Sequence, residues 1–167
     1  MALVASALVL AACGGEKKAD TPAAEPAAAA ASPAAAAAPA AAAPAAGAVA
    51  MAPITGKTIE VKMVGDDKGY RFEPANITVK AGDGIKFMVV SGGPHNVAFN
   101  AATVPAESKA QLDANMGADK MGELSSAMRM NAGEAVTISF GNIKPGKYEF
   151  NCTPHLAMGM KGVITVQ

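Results

Sequence analysis

From Gly56 onward, hydrophobic residues recur at every second position. Ile59, Val61 and Met63 alternate with Glu60 and Lys62, the pattern of a strand with one buried face. Ile77 and Val79 repeat it before the turn cluster Ala81-Gly82-Asp83-Gly84, and Ile85, Phe87 and Val89 repeat it after. Asn96 to Phe99 follows the break Ser91-Gly92-Gly93-Pro94. Val136, Ile138 and Phe140 alternate, and Asn142-Ile143-Lys144-Pro145-Gly146 then turns the chain. Tyr148, Phe150 and Cys152 share one face of the next strand, and Val163 to Val166 closes the series. Short strands between Gly/Pro turns at this spacing predict an all-β fold, a two-sheet β-sandwich. Glu107 to Met130 interrupts the pattern. It is rich in Ala, Lys, Gln, Met and Leu and predicts one short helical insertion over Ser108 to Asn115, with Gly117 and Gly122 limiting its extension.

Before Gly56 the period disappears. Residues 13–55 form a linker that is charged at first and then almost purely Ala and Pro, with Pro22, Pro26, Pro33, Pro39, Pro44 and Pro53 recurring through it. Alanine runs favour helix, but each proline interrupts the attempt before nucleation is repaid. No aromatic or large aliphatic residue follows Glu16 until Val49, so the sequence predicts a disordered or partly extended tether, reaching roughly 35 Å on average over its ~40 residues. Residues 1–12 are apolar and too short to span a bilayer, which takes about 20 residues; they have the length of a signal peptide. Their ending, Leu10-Ala11-Ala12-Cys13, resembles the bacterial lipoprotein processing box, which implies cleavage before Cys13 and lipidation of its sulfur. An ordinary secretory signal with an incidental Cys13 is the other reading. Both export the protein.

Composition sharpens this division. The chain is 51% hydrophobic but only 4% aromatic, because the excess is alanine in the linker. All aromatic residues lie between Tyr70 and Phe150, so residues 56–167 make the single folded domain. Fourteen basic residues balance fourteen acidic ones without a basic run, which excludes nucleic acid as a partner.

The chemistry concentrates in few residues. The chain has two histidines, His95 and His155, each preceded by a proline. Cys152 stands three residues before His155. With Cys13 committed to an anchor, Cys152 is the one thiol of an exported domain and has no disulfide partner. Thiolate and thioether are soft ligands, and two imidazoles, a thiolate and a weak axial methionine suit copper that cycles between oxidation states. Zinc would accept the same two imidazoles and the thiolate, but its structural sites usually take a fourth Cys or His. A catalytic Cys–His pair lacks a third orienting residue or an oxyanion loop.

Two segments carry a family resemblance. Ser91-Gly92-Gly93-Pro94-His95-Asn96-Val97-Ala98-Phe99 resembles the first-ligand strand of the plastocyanins. Cys152-Thr153-Pro154-His155-Leu156-Ala157-Met158-Gly159-Met160 is similar to the ligand loop of the pseudoazurins. Both are cupredoxins, and the likeness extends through Phe72-Glu73-Pro74 and Val79-Lys80-Ala81-Gly82-Asp83. It implies a Greek-key β-sandwich holding one type 1 copper, Cu(I)/Cu(II), on His95, Cys152, His155 and an axial Met. Met158 has the spacing used by amicyanins, and Met160 that of plastocyanins and pseudoazurins. The run Met160-Lys161-Gly162-Val163-Ile164-Thr165-Val166 keeps the latter families' phase, so Met160 is the expected ligand, with Met158 packed beside the copper. Pro94 and Asn96 are expected next to the ligands, Asn96 tying the two ligand loops together.

The resemblance implies one-electron transfer and no enzymatic activity. Its partners would be redox proteins (a cytochrome, reductase, oxidase or photosynthetic complex) docking at an apolar rim of Leu156, Ala157 and Met158 around a surface-near His155. The protein would be periplasmic or otherwise extracytoplasmic, touching the membrane only through its N-terminal lipid anchor. Two departures stand out: Asn151 replaces the tyrosine that plastocyanins carry before the Cys, and Tyr70 stands where they have an apolar-patch leucine. A copper carrier or sequestering lipoprotein without a redox circuit is the alternative. An oxidase or nitrite reductase fragment lacks the extra histidines.

Overall fold

A computed structural model describes residues 49–167. The signal segment, Cys13 and most of the Ala/Pro linker lie outside the described residues.

The alternating segments form strands β1 (Thr58–Asp66), β2 (Gly69–Glu73), β3 (Asn76–Val79), β4 (Gly84–Val89), β5 (Ala98–Phe99), β6 (Ala135–Ser139), β7 (Gly146–Asn151) and β8 (Lys161–Val166). One sheet has the order β2-β1-β4-β6 and the other β3-β8-β7-β5. Both are mixed: β1 pairs with β4 and β3 with β8 in parallel, and the remaining neighbours are antiparallel. The predicted two-sheet sandwich is present. The core is the set of inward residues that the period of two marks: Val61, Met63, Ile85, Phe87, Ile138, Tyr148, Phe150 and Ile164 are all buried. Phe150 anchors its aromatic part, with ring centroids 4.7 Å from Phe72 and 5.5 Å from Phe87.

Strand β2 is absent from the periodicity reading. Its five residues offer only Tyr70 and Phe72 as apolar positions, too few to register as alternation, and pairing with β1 creates it. The helix α1 (Ala106–Asn115) begins earlier than expected, because Pro105 sets its start. The segment after it is irregular but firmly paired. His95 and Arg129 exchange backbone bonds of 2.9 and 2.8 Å, and Phe99 N–H donates to the Leu124 carbonyl at 2.9 Å.

The packed region also begins before Gly56, which corrects the boundary read from the sequence. Ala52 is buried, and its N–H donates to Asn115 Oδ1 at 2.8 Å. Thr55 and Gly56 N–H both donate to the Gly82 carbonyl at 2.9 Å. Periodicity cannot reveal such a strap, because a side chain from the helix and a loop carbonyl hold it. No helix among the described residues is long and apolar enough to cross a membrane.

Candidate metal centre

Three elements converge at one end of the sandwich. Cys152 directly follows β7 and continues its inward face, so Tyr148, Phe150 and Cys152 are all buried, as their alternation predicts. A 3₁₀ turn (Thr153–Met158) then folds the chain back. Its closure is local: His155 N–H donates to the Cys152 carbonyl at 3.1 Å, Met160 N–H to the His155 carbonyl at 3.2 Å, and Cys152 N–H to the Met160 carbonyl at 3.0 Å. Gly159 ends the turn at φ +83°, a conformation glycine adopts without steric cost, and β8 starts two residues later. His95 arrives from the β4–β5 connection, after the cis Gly93–Pro94 peptide.

Cys152 Sγ lies 3.5 Å from His95 Nδ1 and 3.4 Å from His155 Nδ1. The donor atoms of all three residues fall within 4.8 Å of one another. Metal–nitrogen bonds of about 2 Å and metal–sulfur bonds of about 2.3 Å, at trigonal to tetrahedral angles, separate nitrogen from sulfur by about 3.5–3.7 Å. The donor spacing fits one ion.

The ring of His95 has a fixed orientation. Its Nε2–H donates to the Ser91 carbonyl at 2.8 Å, which leaves the Nδ1 lone pair facing the thiol. The Ser91 carbonyl also accepts the Gly65 N–H at 3.0 Å, joining this ligand loop to the end of β1. Asn96 bridges the two loops: its Oδ1 accepts Thr153 N–H at 2.8 Å, and its Nδ2 donates to Thr153 Oγ1 and Ser125 Oγ, each at 3.1 Å.

Burial pushes the Cys152 thiol above its ordinary value, while the backbone N–H groups of Asn96 and His155 pull the other way. Burial, with a smaller contribution from the nearby His95, pushes the His155 imidazole down and favours the neutral form. Neutral imidazoles are ready donors, and a bound cation is what deprotonates such a thiol. The donor group includes no carboxylate and no fourth His or Cys among the described residues. That fits the soft set expected for copper better than a closed zinc site.

The two candidate methionines separate clearly. Met160 is fully buried, whereas Met158 is 57% exposed. Met158, expected beside the metal, presents more than half of its surface to solvent, as does Leu156 at 51%. His155 is only 5% exposed, deeper than a surface-near histidine was expected to sit. The tyrosine at position 70 stacks on it, with ring centroids 3.8 Å apart and planes 16° apart. Sequence reasoning noted Tyr70 only as a departure from a pattern, and nothing local in the chain signals the stack. Ser91, Ser125 and Thr153 also support the centre without having been singled out. Hydroxyl-bearing loop residues are too common to mark.

Fold and centre together define a β-sandwich protein with a buried nitrogen–sulfur cluster fit to hold one metal ion. The model for copper-binding proteins of the plastocyanin/azurin family matches residues 59–167, and the chain belongs to that family. It is 33% identical to the plastocyanin of Prochlorothrix hollandica over 119 residues, covering 71% of this chain and 80% of that one. It is 39% identical to the chloroplastic plastocyanin of Physcomitrium patens over 107 residues, which are 64% of this chain and 56% of that relative. Among solved structures, the oxidized plastocyanin of Dryopteris crassirhizoma is similar, with a TM-score of 0.50 and 31% identity, covering 65% of this chain and 100% of that one. The class is that of single-copper electron-transfer proteins, not enzymes.

Proposed function

We propose that this chain is a one-electron carrier whose copper is held by His95, Cys152, His155 and Met160, working outside the cytoplasm on a lipid anchor at Cys13. The observation that carries the ligand reading is the buried Cys152 thiol set 3.5 and 3.4 Å from two imidazole nitrogens. Copper, when bound, supplies a one-electron couple between Cu(I) and Cu(II). The residues do the rest. The Ser91 carbonyl orients His95, Asn96 locks the Cys152–His155 loop to the His95 loop, and burial of Cys152 and Met160 excludes water from the donors. A scaffold that enforces one donor geometry keeps rearrangement small as charge changes.

The exposed Leu156 and Met158, with Ala157 between them, form the docking rim for a redox partner. The rim residues themselves carry no charge, and several charges elsewhere are paired: Lys109 with Glu123 at 3.2 Å, Arg129 with Asp119 at 2.9 Å, and Lys120 with Asp113. A rim of this kind suits brief contacts that depend little on salt. Mixing the Cu(II)-loaded protein with a reduced c-type cytochrome in a stopped-flow instrument tests the reading. Rapid cytochrome oxidation, changing little between low and high salt, is expected. Copper that binds but exchanges no electron with any cytochrome, reductase or oxidase partner would instead mark a copper store.

A further inference from the structure

The two histidines of the centre face the same thiol but are held by different means. A histidine that binds a metal almost always donates its second ring N–H to a carboxylate, a backbone carbonyl or water, and a protein acceptor fixes the ring plane and the tautomer. His95 does so, through Nε2 and the Ser91 carbonyl at 2.8 Å. His155 has no protein acceptor of that kind: its side-chain hydrogen bonding among the described residues consists of Nδ1 toward Cys152 Sγ. Its ring is instead covered by Tyr70, nearly parallel at 16° and 3.8 Å between centroids, and the same tyrosine meets His95 edge-on at 6.2 Å.

The placement of Tyr70 is built into the sheet. In the β1–β2 ladder Tyr70 lies opposite Gly65. A Cβ at Gly65 would stand 2.6 Å from Tyr70 Cε1, so the ring has room only because position 65 has no side chain. Gly65 is fastened to the His95 loop by its N–H to the Ser91 carbonyl at 3.0 Å, and Ser91 Oγ–H donates to the Gly65 carbonyl at 2.9 Å. One knot, Ser91 with Gly65, therefore supports both devices.

We infer that Tyr70 is the positioning residue of His155, its stacked ring doing for that ligand what the Ser91 carbonyl does for His95. This rests on the reading of His95, Cys152 and His155 as copper ligands. Stacking fixes the ring plane but leaves rotation within the plane to the Cys152 contact, so the aromatic face matters and the phenol hydroxyl does not.

The test uses the full chain with Tyr70→Phe and Tyr70→Leu. In the metal-free protein, NMR should show the His155 ring protons shifted upfield by the overlying ring in wild type and Tyr70→Phe, and released from that shift in Tyr70→Leu. Competition with the Cu(I) chelator bicinchoninate should give wild-type affinity for Tyr70→Phe and an affinity about tenfold weaker for Tyr70→Leu, the usual scale for losing a ligand's supporting contact. An unshifted His155 in wild type would overturn the inference even if Tyr70→Leu failed to fold. So would a folded Tyr70→Leu with wild-type Cu(I) affinity, or a Tyr70→Phe as impaired as Tyr70→Leu. A wild-type protein that forms no copper–thiolate centre would fail the ligand reading instead, an outcome that leaves the apo-protein stack measurable on its own.

Discussion

Met158 and Met160 sit two residues apart in a loop of nine, yet one is fully buried and the other 57% exposed. The difference comes from Gly159: its positive φ reverses the chain between them and feeds Met160 into the backbone bond with His155. On the reading of Met160 as the axial ligand, a thioether kept from water suits a weak donor better than an exposed one does. Met160→Ala should therefore shift the reduction potential, read by cyclic voltammetry, and alter the visible spectrum of the copper protein, while Met158→Ala leaves both near wild type. The reverse result would move the axial role to Met158. At this scale the grouping of His95, Cys152 and His155 was legible from residue types, because a lone thiol and two histidines have few other uses. The partner of His155 was not, because Tyr70 reaches it through cross-strand register, which no spacing along the chain records.

Strands were legible where one face is buried and the other wet, as in β1, β4 and β7, since the sandwich imposes a period of two on such segments. Strand β2 escaped because its outward residues include Arg71, tied to Asp66 at 2.7 Å and to Glu73 at 2.6 Å, and its apolar positions are only two. The strap before Gly56 escaped for a different reason: a composition dominated by alanine and proline hides the buried Ala52. Asn115 accounts for it. This fully buried amide accepts from Ala52 N–H at 2.8 Å and donates to the Ser139 and Gly141 carbonyls at 2.9 and 3.1 Å. A chain beginning at Gly56 should be less stable than one beginning at Val49 by about 0.5–1.5 kcal/mol, the scale of a lost buried hydrogen bond, since Asn115 Oδ1 keeps the Gln111 Nε2–H donor at 2.9 Å. Urea unfolding of the two metal-free proteins measures this. Equal midpoints would show that the strap contributes nothing.

Viewed as a whole, the domain has two poles. β1 runs from Thr58, near the strap, to Asp66, whose neighbour Gly65 is bonded to the ligand loop at Ser91; its nine residues separate the poles by roughly 30 Å. The linker thus joins the domain at the end away from Cys152, and the donors gather where strands from both sheets terminate. The few rings are shared between the poles: Tyr70 stacks on His155 at one, and the Tyr148 hydroxyl reaches Ser108 and Lys144 at the other. The central claim is that the buried thiol exists to bind copper as a thiolate beside the imidazoles of His95 and His155. Titrating the metal-free protein with Cu(II) and recording its absorption tests this most directly. One equivalent should produce an intense blue thiolate-to-copper band that is absent in Cys152→Ser; a protein that stays colourless, or that keeps the band without Cys152, would contradict it.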